Sequence, residues 1–242
     1  MVETISIAGG QYRIGHDSLT LSRPVHDVAI QPFKIMVGTV TNQAFAAFVG
    51  AGGYRQDTFW SQIGVRWRNS KTVTMPAFWG DGRFDGSAQP VVGVSWYAAL
   101  AYAAWLSAET GLSWRLPREV EWEVAAQGGG EGVICHAGNS RGQPIAAIGA
   151  GHQVSNGAWN LLGNVWEWCS TRWGRNWQSL DYRYPYDATD GREDLTGSHA
   201  RVMRGGSWFD ALQEAHPSKR ARYLPGSRGS NIGFRLVQDV SV

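Results

Sequence analysis

The sequence predicts an α+β domain with few helices, short antiparallel strands and much irregular structure. Three observations carry that expectation. Glycine supplies 31 of the 242 residues, well above the average share of about 7%, so many turns must separate short elements. Thirteen tryptophans bring large rings with a polar N–H, suited to cores that hold polar groups or to aromatic recognition surfaces. Helical periodicity occurs only between residues 41 and 129; beyond 130 nothing supports a helix longer than two turns. With 43% hydrophobic and 17% charged residues, a disordered or coiled-coil chain is excluded.

The elements follow in order. Residues 5–38 alternate short apolar runs with turn signals, IAGGQYRIG and then VHDVAIQPFKIMVG, and read as antiparallel strands. Thr41 is a candidate N-cap for a helix on NQAFAAFVG, with Phe45, Ala46 and Val49 at helical spacing. Residues 52–90 are rich in Gly, Trp and polar residues without a sustained period, and read as a long packed loop with short elements. Ser95 caps the clearest helix, WYAALAYAAWLSAET, and Gly111 stops it. Trp96, Leu100, Ala103, Ala104 and Leu106 can form its buried stripe. RLPREVEWEVAAQGGG follows, with Pro117 in a tolerant first turn, Glu119 and Glu121 favouring the N-terminal dipole, and glycines ending the helix. Glu119, Glu121 and Glu123 stand at spacing two and are expected on different faces. No repeat at a period of about 20–50 residues and no linker interrupts the chain, so residues 1–242 read as one domain.

Several functions are excluded early. Lys and Arg total 22 against 20 Asp and Glu; this near-balance, without a basic run, argues against a nucleic-acid partner. No run of about 18 apolar residues is present to span a membrane. The start, MVETISIAGG, carries no basic or apolar leader, so the expectation is a cytoplasmic chain or one exported by a leaderless route. Cys135 and Cys169 are too few for a disulfide scaffold and read as reduced and buried, a single bridge being the alternative.

Seven phrases occur in a fixed order: GGQYRIG at 9–15, TNQAFAAFV at 41–49, PVVGVSWYAALAYAAWL at 90–106, RLPREVEWEVAAQGG at 115–129, NLLGNVWEWC at 160–169, RVMRGGSW at 201–208 and NIGFRLV at 231–237. Together they resemble the formylglycine-generating enzyme (sulfatase-modifying factor) family, whose fold is an elaborated C-type-lectin-like domain. The resemblance runs from about residue 5 to residue 238. It is specific for fold and much less so for function, because folds host unrelated sites. Most of the phrases also have a structural reading. RGGSW fits a backbone passing close under a Trp ring, Phe234 fills the core, and Arg235 satisfies buried carbonyls or a carboxylate.

The resemblance implies a Ca²⁺ site on Asn160 and Glu167 with the main-chain oxygens of Gly163 and Val165. Oxygen donors mixing side chain and main chain are what Ca²⁺ prefers. The alternative is that Asn160 and Glu167 hold the same turn without metal. A second Ca²⁺ site of the family, between about 139 and 156, finds no match. The family's oxidases bind copper through two cysteines, since soft sulfur selects Cu(I). The matching positions are Asp210 and Ala215, so copper and formylglycine synthesis are not expected. The six histidines are scattered without an i,i+4 pair; a two-His-one-carboxylate site assembled by folding stays open.

Residues 209–231, FDALQEAHPSKRARYLPGSRGSN, lie between the RGGSW and IGFR phrases. In the variable proteins of diversity-generating retroelements, such a window in this fold is randomised by mutagenesis of Asn codons. The residue types reachable that way describe most of 209–231, although Gln213, Glu214 and Lys219 fall outside them. An ordinary loop of a non-variable relative is the equal alternative. The favoured reading is a non-catalytic binding module recognising a protein or cell-surface ligand. Its candidate ligand residues are Phe209, Asp210, Arg222, Tyr223, Leu224, Ser227 and Ser230. The alternatives are a divergent oxidoreductase and an accessory domain that partners an enzyme.

Overall fold

The turn-punctuated runs at the start of the chain form the predicted antiparallel strands, but in two sheets. In this computed structural model residues 2–240 are described; residues 1, 241 and 242 of the domain read from the sequence lie outside the described residues. β1 (Thr4–Ile7) pairs β4 (Phe33–Met36), while β2 (Gly10–Ile14) pairs β3 (His26–Ile30) as a separate ribbon. α1 spans Asn42–Gly50, and Thr41 Oγ1 accepts the Ala44 N–H at 3.1 Å as its cap. Its buried stripe is Phe45 and Phe48 with Asn42. Ala46, expected inside, is exposed, because the buried row runs at spacing three through Asn42, Phe45 and Phe48, whose ring packs on Tyr54 and Tyr102.

Within the segment read as a packed loop, α2 (Gln62–Ser70) forms under a Ser61 cap. It buries only Gly64 and Arg68, so no apolar period announced it. α3 (Trp96–Thr110) is capped by Ser95 at 3.2 Å to Ala98 N and ends on Gly111 at φ +69. It is buried nearly all round. Trp105 replaces Ala104 in the stripe, and Ala104 is exposed. β5 (Trp114–Arg115) leads to α4 (Glu119–Ala125), whose first turn is fixed by Glu121 Oε2 accepting the Arg118 N–H at 2.8 Å.

Glu119 and Glu123 do not point to different faces. Two steps of two make an i,i+4 pair on one face, and both pair with the fully buried Arg204 at 2.9 and 3.0 Å. Glu121 alone diverges, to Arg115 at 2.7 Å.

Apart from a 3-10 turn at Leu212–Glu214, the remaining elements are strands: β6 (Gly130–Gly132) with β7 (His152–Val154), then β8 (Trp166–Gly174), β9 (Ala200–Arg204), β10 (Ala221–Tyr223), β11 (Ile232–Gly233) and β12 (Val237–Asp239). β12 completes the first sheet, in the order β1-β4-β12-β5, by pairing between β4 and β5. The second sheet runs β10-β9-β8-β11, with β11 parallel to β8 and the rest antiparallel. This α+β arrangement is C-type-lectin-like.

Every residue of β8 and β9 is buried. Trp168 and Met203 pack in a core with α1, α3 and Phe234, while Cys169, Trp173 and Val202 pack in a second core against β3 and α4. Strands covered on both faces lose the apolar-polar alternation that would have announced them. Cys135 and Cys169 are both buried and free. Among the described residues no helix is long and apolar enough to cross a membrane.

Candidate functional site: an aromatic cavity at the end of the second sheet

β8, β9 and β10 present one face toward a cavity of about 860 Å³, within the range of small-molecule sites. The floor is Trp166, at the start of β8, with Met203 from β9. The turn after β9 supplies Trp208, Phe209 and Asp210; β10 supplies Ala221, Arg222 and Tyr223; Leu224, Ser227 and Ser230 lie on the return to β11.

Two glycines make that turn. Gly205 and Gly206 sit at φ +108 and +79, where a side chain is strained. A Cβ on Gly205 would stand 3.0 Å from the Leu161 carbonyl and 3.2 Å from the Trp122 ring. The close approach under a Trp expected of RGGSW is therefore real, and the ring is Trp122.

Beyond the glycines, the Ser207 hydroxyl organises the site. It donates to Asp210 Oδ2 and accepts from Asn231 Nδ2 at 3.1 Å and from the Phe209 N–H at 3.3 Å. The Trp166 indole N–H donates to the same Asp210 Oδ2 at 2.8 Å. The Trp208 indole N–H donates to the Ser230 carbonyl at 3.2 Å, and its ring lies against Phe84 and Phe209 with centroids 5.8 and 5.5 Å away. On the far wall Arg222 Nε donates to the Trp177 carbonyl at 2.9 Å, and its guanidinium stacks 4.9 Å over Trp173.

All seven residues nominated as ligand-binding from the sequence, Phe209, Asp210, Arg222, Tyr223, Leu224, Ser227 and Ser230, line this one cavity. Phe209 is 68% exposed, Tyr223 52% and Leu224 44%; these apolar side chains do not pack inward. The sequence reading missed Trp177, which is 51% exposed and reaches the cavity from the loop after β8. It also read Trp166 and Trp208 as structural only. They are buried, as expected, and they line the cavity as well. Ala215, the second position at which the family's oxidases carry cysteine, is not in the lining; its backbone packs against Gly206.

The four residues nominated for Ca²⁺ do not come together as a ligand set. Both Glu167 oxygens are taken by the buried Arg235, at 2.7 and 2.8 Å, and Oε2 also accepts the Trp122 indole N–H at 2.8 Å. Asn160 Oδ1 accepts the His152 N–H at 3.2 Å, and its amide donates to the carbonyls of Ala146, Ala147 and Ala150. The two side chains share no partner. A carboxylate already neutralised by a bidentate guanidinium, with the amide committed elsewhere, does not fit Ca²⁺ as placed. The hydrogen bonds of Asn160 and Glu167 are those of the alternative, a turn that these two side chains hold through protein partners. Accordingly, excess chelator is expected to leave the melting temperature unchanged, because an ion bound only to the native state would have raised it by mass action. A drop of several degrees on chelation, reversed by Ca²⁺, would restore the metal site.

Among the described residues no three His, Cys, Asp or Glu side chains are grouped to hold a metal ion. Burial pushes the Cys135 thiol up, and the Cys169 thiol well up, so neither favours the reactive thiolate.

The comparisons with known proteins agree with this fold. The sulfatase-modifying factor enzyme 1-like domain matches residues 1–240. The formylglycine-generating enzyme of Thermomonospora curvata is 31% identical over 97% of this chain and 93% of its own length. The hercynine oxygenase of Mycolicibacterium thermoresistibile is 34% identical over 92% of this chain, which spans 54% of that protein. The serine/threonine-protein kinase Pkn1 of Chlamydia trachomatis is 30% identical over 99% of this chain, which spans 39% of it. Among solved structures, variable protein 1 of Treponema denticola superposes with a TM-score of 0.71 at 22% identity, covering 98% of this chain and 95% of the other. PvdO of Pseudomonas aeruginosa follows with a TM-score of 0.69 at 20% identity, covering 99% and 95%.

Proposed function

The chain belongs to the sulfatase-modifying factor enzyme 1-like family, and from that premise we propose that it is a non-catalytic binding protein whose recognition site is the cavity on the second sheet. The observation that carries the reading is the division of labour at Ser207–Asn231. Every hydrogen bond there serves to hold the walls, while the rings and hydroxyls facing the cavity are left for a ligand. Rigid aromatic side chains with an Arg beside them are the usual makings of a contact surface. The partner is a protein or cell-surface ligand, and the window 209–231 is the segment that sets its identity. Likeness to a protein titled a variable protein supports the idea that residues of this window are exchangeable on a constant frame.

Replacing Arg222, Tyr223 and Leu224 together with Ser tests this. All three are outside the hydrophobic cores, so the melting temperature should move by only a few degrees, as surface changes usually do. Binding to the glycan or peptide that the wild type selects from an array should be lost. A triple variant that does not fold would return this segment to the core and overturn the reading.

A divergent oxidoreductase is the second reading. It is favoured by the names of the relatives, a formylglycine-generating enzyme and a hercynine oxygenase, and by a carboxylate, Asp210, inside the cavity. Asp210→Ala would abolish any turnover under that reading.

A further inference from the structure

We propose that the cavity is selective for an organic cation, an alkylated ammonium or a guanidinium group, which Asp210 receives inside a cage of aromatic rings. The inference rests on the binding reading above and adds the chemistry of the ligand. Five rings line the cavity: Trp166, Trp177, Trp208, Phe209 and Tyr223. Ring faces attract cations through their quadrupoles, Trp most strongly, and the attraction grows as water is excluded.

The charges in the wall agree with this. Asp210 Oδ2 is pinned by the Trp166 indole N–H and the Ser207 hydroxyl, whereas Oδ1 takes no donor from any described residue. The carboxylate is thus held in place with one oxygen free. Arg222 is the only cation in the lining, and its guanidinium is held at the wall. Its guanidinium stacks over Trp173, a ring outside the lining, and its Nε is tied to the Trp177 carbonyl. Asp210 is the only anion in the lining, and it sits among aromatic rings.

Matched pairs of probes read the charge separately from the shape. Choline is compared with 3,3-dimethylbutan-1-ol, and N-acetyl-arginine amide with N-acetyl-citrulline amide, by calorimetry and ligand-observed NMR on the full chain. The cationic member of at least one pair is expected to bind about tenfold more tightly than its neutral twin, equivalent to about 1.4 kcal/mol. Which pair shows it distinguishes an ammonium from a guanidinium ligand. Asp210→Asn, which keeps an acceptor for the Trp166 N–H, should bring the preference below about threefold. Trp177→Ala, at a half-exposed ring whose removal leaves the cores intact, should weaken both members.

Equal affinity within both pairs, no saturable binding of either cation by about 10 mM, or a preference that survives Asp210→Asn would each overturn the inference. Equal affinity within a pair, abolished by the Arg222/Tyr223/Leu224 triple variant, would do so while leaving the binding reading intact. A triple variant that does not fold would overturn both.

Discussion

Trp208→Ala is expected to destabilise the protein by roughly 3–5 kcal/mol, the usual cost of deleting a buried aromatic ring. Only 8% of Trp208 is exposed, and the ring shares a small core with Phe84, Val92, Cys135 and Val165. Its indole N–H also closes the turn to Ser230. Ordinary domains hold about 5–15 kcal/mol in reserve, so the variant should sit near the edge of folding at physiological temperature. Urea unfolding would show this as a lower midpoint at unchanged slope. Trp208→Phe should recover most of the loss, leaving chiefly that of one hydrogen bond, about 0.5–1.5 kcal/mol. An unchanged midpoint in Trp208→Ala would mean that the ring belongs to the cavity alone and contributes nothing to the core.

Arg204→Ala is expected to be as severe, by a different route. The guanidinium has no exposure and meets Glu119, Glu123 and the Tyr184 hydroxyl, with Pro217 and Lys219 carbonyls on its other side. Removing one partner of a buried ion pair costs about 3–5 kcal/mol because the other charge stays behind without compensation. Glu119 would keep Arg220, at 2.8 Å, but Glu123 has no other cation within ion-pair distance among the described residues. Arg204→Lys keeps the charge and loses the fork, and should fall between wild type and Ala. A loss below about 1 kcal/mol for Arg204→Ala would show that the cluster relaxes or hydrates.

The same cluster fixes a pH dependence. Burial opposes ionisation of Glu119, yet Arg220 and Arg204 overcome it and hold the carboxyl below its ordinary value. A carboxylate depressed in the folded state contributes stability above its unfolded value, about 4.3, and that contribution is lost as pH falls below it.

Much of this was legible in the chain. Helix caps at Thr41 and Ser95, the αL glycine at 111, the buried tryptophans 166, 168 and 208, and the free buried cysteines all carry local signatures, because a cap or a turn is decided by a few neighbouring residues. The cavity-lining residues of 209–231 were legible as exposed large side chains between two glycine-tethered phrases. α2 was not legible, since a helix that buries one Gly and one Arg has no apolar period to read. The ionic face of β8 and β9 was hidden too, because strands buried on both sides show no alternation.

By itself, then, the sequence determined the α+β class, the capped helices, the family and the seven residues of one cavity. Tertiary structure alone decided three things. It gave Glu167 to Arg235, 68 residues away. It brought Trp177 to the cavity from another loop. It also turned Glu119 and Glu123 onto Arg204. Each is a choice of partner for a charge or a ring across the chain. Such choices depend on which groups are left facing one another once burial has stripped away water, and no local spacing records that.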